Sequence, residues 1–255
     1  MPLPASKSPL GGTDNHDGGI WYFAYGSNMK SSVMKGRGIT PLKVQAVIVP
    51  DYMLSFDIFG IPYAEPAFAS ITPLLEKGVS GEQQIPPVHG VAYLLTPDDY
   101  RRLVLTEGAG VGYDEITVSA RALDSDDEQA EMMVRTLKAK YPFRSNRAPS
   151  KRYKGLILDG AEEFHLPQSY QVFLQSLPVY TPALTYRALF GSWTFLAFWR
   201  WVIRALARLT KVSTNERGHC PDWMGGVIFA VYRFMWGYHD NVHSQIWSRG
   251  DGCCK

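Results

Sequence analysis

Two short stretches of this chain combine residue types and spacings that suit chemistry on a small, charged substrate. The first is YFAYGSNM, Tyr22 to Met29. Aromatic residues of high strand propensity stop at Gly26, Ser27 and Asn28 ahead of a predicted helix, and a strand that ends this way presents consecutive backbone N–H groups able to hold a carboxylate or phosphate. Taken alone, such a loop is more often a turn with a capping side chain. The second stretch is LTEGAGVGYDEITV, Leu105 to Val118. Glu107 stands where a helix gives out into a Gly-rich loop, so its carboxylate can project into a cleft. Gly108, Gly110 and Gly112 let the backbone pass close to a small ligand. The plainer alternative is an exposed Glu at a frayed helix end.

Other constellations carry less. His239 and His243 are spaced to pair on a helix, but they have no third ligand and no HExxH frame, so they read as packing or surface histidines. Ser27 lacks the G-x-S-x-G elbow of a hydrolase nucleophile. Neither a metal nor an organic cofactor is expected.

The elements that must position these residues follow from pattern and punctuation. Strands are expected from Trp21, over Lys43 to Val49, over Tyr52 to Ile58 and over Val88 to Leu95. Thr96 can cap a helix with Pro97 at its first position and Asp98 and Asp99 in its first turn, ending near Gly108. Residues 113–120 and 131–138 alternate as two strands of a hairpin about the acidic turn Asp124 to Glu128. Helices close the body from Ser150 to about Phe164 and from Pro167 to Leu177. The segment from Asp57 to Gly90, with five prolines, reads as a linker. Strands first and helices last make an α+β arrangement without βαβ alternation.

The 255 residues allow one substantial domain with an appendage, and 45% hydrophobic with 20% charged residues can bury an ordinary core. A net charge of +2 gives no reason to expect nucleic acid as a partner. The charge is uneven, however: the part after Thr181 carries +5 and the part before it −3. Cys220, Cys253 and Cys254 make no disulfide framework, and the polar, Gly/Pro-rich start has no apolar run for a signal peptide. A reducing compartment, the cytoplasm, is therefore expected. Residues 1–19 read as a disordered tail, 20–182 as the main domain, and 183–255 as a Trp-rich helical extension that holds six of the seven tryptophans.

With these motifs in order, the chain resembles the γ-glutamylcyclotransferase family, which has the AIG2-like fold. YFAYGSNM matches the family's N-terminal loop. VHGVAYLLTPDDYRRLVLTEGAGVGYDEITV matches its strand, helix, Glu-Gly and following Tyr strand, and Pro149 to Leu177 resembles its closing helices. The resemblance covers roughly residues 20–180 and implies a small mixed β-barrel with flanking helices. It also implies a reaction in which a γ-glutamyl amide cyclises to 5-oxoproline and releases an amine. By that resemblance Tyr25, Gly26, Ser27 and Asn28 would hold the glutamyl α-carboxylate, and Glu107 would be the general acid/base. Tyr113 and Tyr153 would lie near the substrate, with Tyr141 a further candidate in a loop that aligns less securely. The Asp57 to Gly90 linker departs from the family pattern. Asn28-Met29 separates the chain from the glutathione-specific branch, whose loop reads Tyr-Gly-Ser-Leu. The long extension resembles fungal cyclotransferase-like proteins of gliotoxin-type secondary metabolism, in which glutathione conjugates are trimmed. The contrary reading is a non-catalytic binding or scaffold protein that kept the fold.

The matched residues all precede Leu177, so the extension is expected to be dispensable for chemistry. Within it Arg200, Arg204, Arg208 and Lys211 fall inside about 80° of helical arc at roughly 100° per residue. A basic stripe on an aromatic helix suits either peripheral membrane contact or, if the helices pack, the body or a homodimer. The apolar stretch before Arg200 is short for a membrane span, and -CCK is no C-a-a-X box, although Cys253 and Cys254 could carry lipid.

Overall fold

The computed structural model describes residues 18–74, 85–107, 112–124, 131–143, 147–213 and 221–252, the side chains of Lys211 and Asp222 excepted. The expected tail over 1–19 and acidic turn lie largely outside these residues, and Gly108, Gly110 and all three cysteines lie wholly outside them.

Five strands close a barrel in the order β1 (Ile20–Ala24), β5 (Val88–Leu95), β2 (Lys43–Val49), β6 (Tyr113–Ala122), β7 (Glu131–Ala139). Neighbours are antiparallel except at the closure, where β1 meets β7 in parallel at Tyr22 and Arg135. This is the mixed barrel that the family resemblance implies. Its interior is filled by β-branched and aromatic residues that a pleated, buried surface favours, among them Phe23, Val47, Val88 and Val134, each fully buried. The hairpin of β6 and β7 pairs from Tyr113 with Ala139 to Arg121 with Glu131.

The helices follow their sequence signals. Thr96 Oγ1 accepts the Asp99 N–H at 3.2 Å and opens α2 (Pro97–Thr106), which turns Tyr100, Leu103 and Val104 inward onto β1 and β5. Ser150 Oγ accepts the Tyr153 N–H at 3.0 Å and opens α3 (Lys151–Glu163). After β1 the chain makes a 3₁₀ turn, Ser27–Met29, and a short α1 (Ser31–Gly36). α3 packs on that turn at Gly160, where a Cβ would stand 2.7 Å from Met29 Cβ and 2.8 Å from the Lys30 backbone nitrogen. Only glycine permits this approach. α4 (Gln168–Ser176) buries Tyr170 and Leu174.

The supposed linker contains a strand. β3 (Tyr52–Ile61) continues past Ile58 and pairs antiparallel with β4 (Glu65–Pro73), with an irregularity between Ser55 and Ile58. In a two-stranded sheet both strands are edges, so Pro66 and Pro73 are tolerated and the proline content misleads. Leu54, Phe56, Ala67, Ala69 and Ile71 of this hairpin belong to the main core. Its far end, with Phe59, Ile61 and Tyr63, belongs to a second core.

That second core is built with the extension. α5 (Tyr186–Ser213) and α6 (Asp222–Tyr238) bring Phe195, Trp199, Met235 and Trp236 against Tyr63. The Trp236 indole N–H donates to the Gly60 carbonyl at 3.1 Å. α6 runs on through a π-helical turn, His239–His243, to α7 (Ser244–Ile246). Both histidines are buried against Tyr63 and Phe195, so they are packing residues and not surface ones. The chain then returns to the body, where the Tyr63 N–H donates to Gly250 O at 2.8 Å and Arg147 meets Asp251 at 3.0 Å. Trp193, Trp201 and Trp223 remain exposed. No helix among the described residues is long and apolar enough to cross a membrane.

Candidate active site

A cavity of about 30 Å³ opens beside the barrel, lined by Tyr22, Tyr25, Gly26, Ser27, Asn28, Ala69, Glu107, Tyr113, Leu137 and Tyr153. All seven residues singled out from the sequence therefore meet at one place, although up to 128 positions separate them in the chain. Tyr25 to Asn28 arrive where β1 ends. Glu107 is the residue that caps the C-terminus of α2, and Tyr113 begins β6. Tyr153 sits in the first turn of α3.

The Glu107 carboxylate is held at one oxygen. Asn28 Nδ2 donates to Oε1 at 2.9 Å, and Arg37 Nη2 lies 2.6 Å from the same atom. Among the described residues Oε2 has no hydrogen-bond partner. Asn28 Nδ2 also donates to the Tyr22 hydroxyl at 3.1 Å, while its buried Oδ1 accepts no hydrogen bond from the described residues. An unpaired buried acceptor costs free energy unless a donor from a ligand or water meets it.

The tyrosines are neutral donors over the working pH range. Burial pushes the Tyr153 hydroxyl up to about 12; the Ala69 N–H pulls the other way and the Glu107 carboxylate adds to the rise. Burial likewise raises Tyr25 and Tyr113 well above the usual tyrosine range, with neighbouring tyrosines and Glu107 contributing. Tyr153 Oη accepts the Ala69 N–H at 3.2 Å, and Tyr25 Oη donates to the Leu137 carbonyl. A Cβ on Gly26 would stand 3.0 Å from Tyr153 Oη and 3.4 Å from Ala69 Cβ, so glycine keeps this wall open.

Sequence reasoning missed three contributors. Arg37 lies just past the end of α1, a position that reads as a surface basic residue. Ala69 comes from the unrecognised strand β4. The third is α6: the cavity shares Ser27, Glu107, Tyr113 and Tyr153 with a cleft of about 670 Å³ whose far wall includes Ile228, Phe229 and Tyr232. This helix, part of the extension expected to be dispensable for chemistry, thus borders the cleft that adjoins the cavity. Tyr141 lies on the same outer wall and stacks on Phe229 at 4.6 Å between ring centroids. Among the described residues no group of three or more His, Cys, Asp or Glu side chains could hold a metal ion.

The arrangement offers one carboxylate, a tyrosine-lined pocket of carboxylate size and a larger apolar cleft beyond. That combination suits proton transfer on a substrate with a small polar head and a bulkier remainder. The family model described as the AclK C-terminal domain matches residues 185–246, the stretch of α5, α6 and α7. Over 246 residues the chain is 52% identical to Gamma-glutamyl cyclotransferase gliK of Aspergillus fumigatus, covering 92% of this chain and 90% of that protein. It is 36% identical over 247 residues to Gamma-glutamyl cyclotransferase aclK of Aspergillus oryzae, covering 91% and 90%. Among solved structures, one named Gamma-glutamyl cyclotransferase superposes with a TM-score of 0.51 at 22% identity, covering 69% of this chain and 99% of that one. An uncharacterized protein from Homo sapiens does so with a TM-score of 0.51 at 23% identity, covering 69% and 98%. At such identities these two show a shared fold.

Proposed function

The chain belongs to the γ-glutamyl cyclotransferase family and is an enzyme of that type, and from this premise we propose how its residues act and on what. The substrate is a γ-glutamyl amide, with a glutathione-derived γ-glutamyl-cysteinyl conjugate of secondary metabolism as the favoured candidate. The observation that carries this reading is the Glu107 carboxylate at the cavity, gripped at Oε1 and unpaired at Oε2. Tyr25, Gly26, Ser27 and Asn28 hold the glutamyl α-carboxylate, while Tyr113 and Tyr153 border the bent glutamyl chain.

Glu107 takes a proton from the substrate ammonium. The freed amine attacks the γ-carbonyl carbon, the new ring C–N bond forms, and the original amide C–N bond breaks. Glu107 then gives its proton to the departing amine nitrogen and takes the second proton from the ring nitrogen, so that 5-oxoproline forms as a neutral lactam and the released amine, on accepting that proton from Glu107, leaves as an ammonium. No protein nucleophile is needed, because the substrate supplies its own; the site contributes proximity by folding the chain into a near-attack five-membered geometry. Incubation with γ-glutamyl amides, including glutathione S-conjugates, should release 5-oxoproline. Absence of product across such a panel overturns the assignment of substrate and roles.

A second reading concerns the part of residues 183–255 that faces away from the body. We propose that the outward face of α5 meets an anionic membrane surface. Exposed Tyr186, Phe190, Trp193 and Trp201 share that face with exposed Arg200, Arg204 and Arg208, which supports interfacial binding by aromatic insertion and lipid-headgroup attraction.

A further inference from the structure

Whatever γ-glutamyl amide is bound, its glutamyl head is constant, and with the head in the small cavity the departing amine must extend into the large cleft. Four aromatic rings, Phe59, Tyr141, Phe229 and Tyr232, pack together on the wall of that cleft. Phe229 of α6 lies 5.5 Å from Phe59 of β3 and 4.6 Å from Tyr141 between ring centroids. Tyr232, one helical turn on, lies 5.0 Å from Phe59. Ile228, Phe229 and Tyr232 are each half-buried and line the cleft, so their remaining surface is open to a ligand. Arg37 and Arg152 also line the cleft, Arg152 bound to Glu65 at 2.7 Å, while the Arg233 guanidinium and the Lys140 ammonium stand 5.8 and 5.9 Å from the ring centroids of Phe229 and Tyr141.

An apolar wall of this size gives nothing to a small polar amine. It favours one that brings apolar surface of its own, since ring-on-ring contact adds to area burial. The wall also depends on the extension, since Phe229 and Tyr232 lie within residues 185–246. We propose that α6 forms the leaving-amine subsite and that Phe229 and Tyr232 are specificity-determining residues, selecting γ-glutamyl amides whose amine portion is bulky and apolar or aromatic. This rests on the cyclotransferase reading above. It makes the extension part of substrate choice, where the motifs in the body set only the chemistry.

The test uses the full chain and two substrates with the same head, γ-glutamyl-1-naphthylamide and γ-glutamyl methylamide, followed by 5-oxoproline release. Wild type should favour the naphthylamide in kcat/KM. In Phe229→Ala and Tyr232→Ala that preference should shrink by about 10-fold, the scale set by apolar subsite contacts, mainly through KM for the naphthylamide. Phe229→Leu keeps apolar volume without the ring and should fall between, which guards against a variant that merely folds poorly. A wild type without preference, or variants that lose both substrates in proportion, would overturn the subsite while leaving the reaction standing. Release of 5-oxoproline from neither substrate by wild type would overturn the reaction and the subsite with it.

Discussion

The Arg37 guanidinium lies 2.6 Å from Glu107 Oε1, the same oxygen that Asn28 binds at 2.9 Å. Both partners are largely shielded from solvent, so the pair is held in one geometry and not averaged over many, as exposed pairs are. With Oε1 occupied twice, the carboxylate is turned so that its second oxygen is the one free to exchange a proton. Arg37→Met should therefore lower kcat by up to about 10²-fold, the scale of a misplaced reacting group, with a smaller change in KM. Arg37→Lys should recover part of that loss. Equal kcat in Arg37→Met and wild type would make the pair a bystander.

Glu107→Gln keeps the shape of the side chain and removes proton exchange. It should fold with an unchanged melting temperature, still bind substrate and lose at least about 10²-fold in rate. Turnover near the wild-type rate would reduce Glu107 to a helix-end residue and end the mechanism proposed for it.

At Gly26 the space is already taken by Tyr153 Oη and Ala69 Cβ. Gly26→Val adds branched carbons to the wall of a cavity of about 30 Å³ and should abolish turnover. A substrate esterified at its α-carboxylate should fail with the wild type, because the ester can neither keep the charge nor fit the pocket. Full activity on the methyl ester would place the α-carboxylate elsewhere.

Two tryptophans of the extension should behave in opposite ways. Trp236 is 1% exposed at the seam with β3 and Tyr63, and Trp236→Ala should destabilise the chain by about 3–5 kcal/mol in denaturant titration. Trp201 is 70% exposed, so Trp201→Ala should change stability by no more than about 0.5 kcal/mol. It should, however, weaken binding to phosphatidylserine-containing vesicles, a binding that salt also weakens. If wild type ignores vesicles and sediments as a dimer, the outer face of α5 is a contact between copies.

Stability should fall in mild acid. Burial pushes the imidazoles of His89 and His243 down from their ordinary value of 6.5, with hydrogen bonds to the Pro87 and Gly191 carbonyls opposing. A lowered folded pKa means that the unfolded chain takes up protons first. The neutral histidines therefore contribute fully above 6.5, and that contribution drains away as pH falls toward the lowered values, at no more than about 1.4 kcal/mol per pH unit for each. Denaturant titrations from pH 7.5 to 5.5 should show the decline, and it should be shallower in His89→Gln. An identical slope in that variant would remove His89 from the account.

Much of the scaffold was legible in the residues themselves. β2 and β5 run over the spans read from strand propensity, Thr96 and Ser150 cap their helices as their positions suggest, and Glu107 stands at the end of α2. These are local matters, decided within a few residues by backbone sterics, capping and hydrophobic period, so a linear sequence carries them. β4 was not legible, because two prolines argue against a strand until the structure shows that both strands of its sheet are edges.

The pairing of Arg37 with Glu107, the Ala69 N–H on Tyr153 and the aromatic wall from α6 had no local signal at all. Each depends on segments far apart in sequence packing to within hydrogen-bond or ring-contact distance, and that is settled by burial of the two cores. The sequence by itself determined the barrel's elements and singled out the residues that line the small cavity. Only the tertiary structure decided which oxygen of Glu107 stays free of the described residues and that the extension, whose inner face must bury Trp199 and Trp236 with Phe59, Ile61 and Tyr63, lines the cleft.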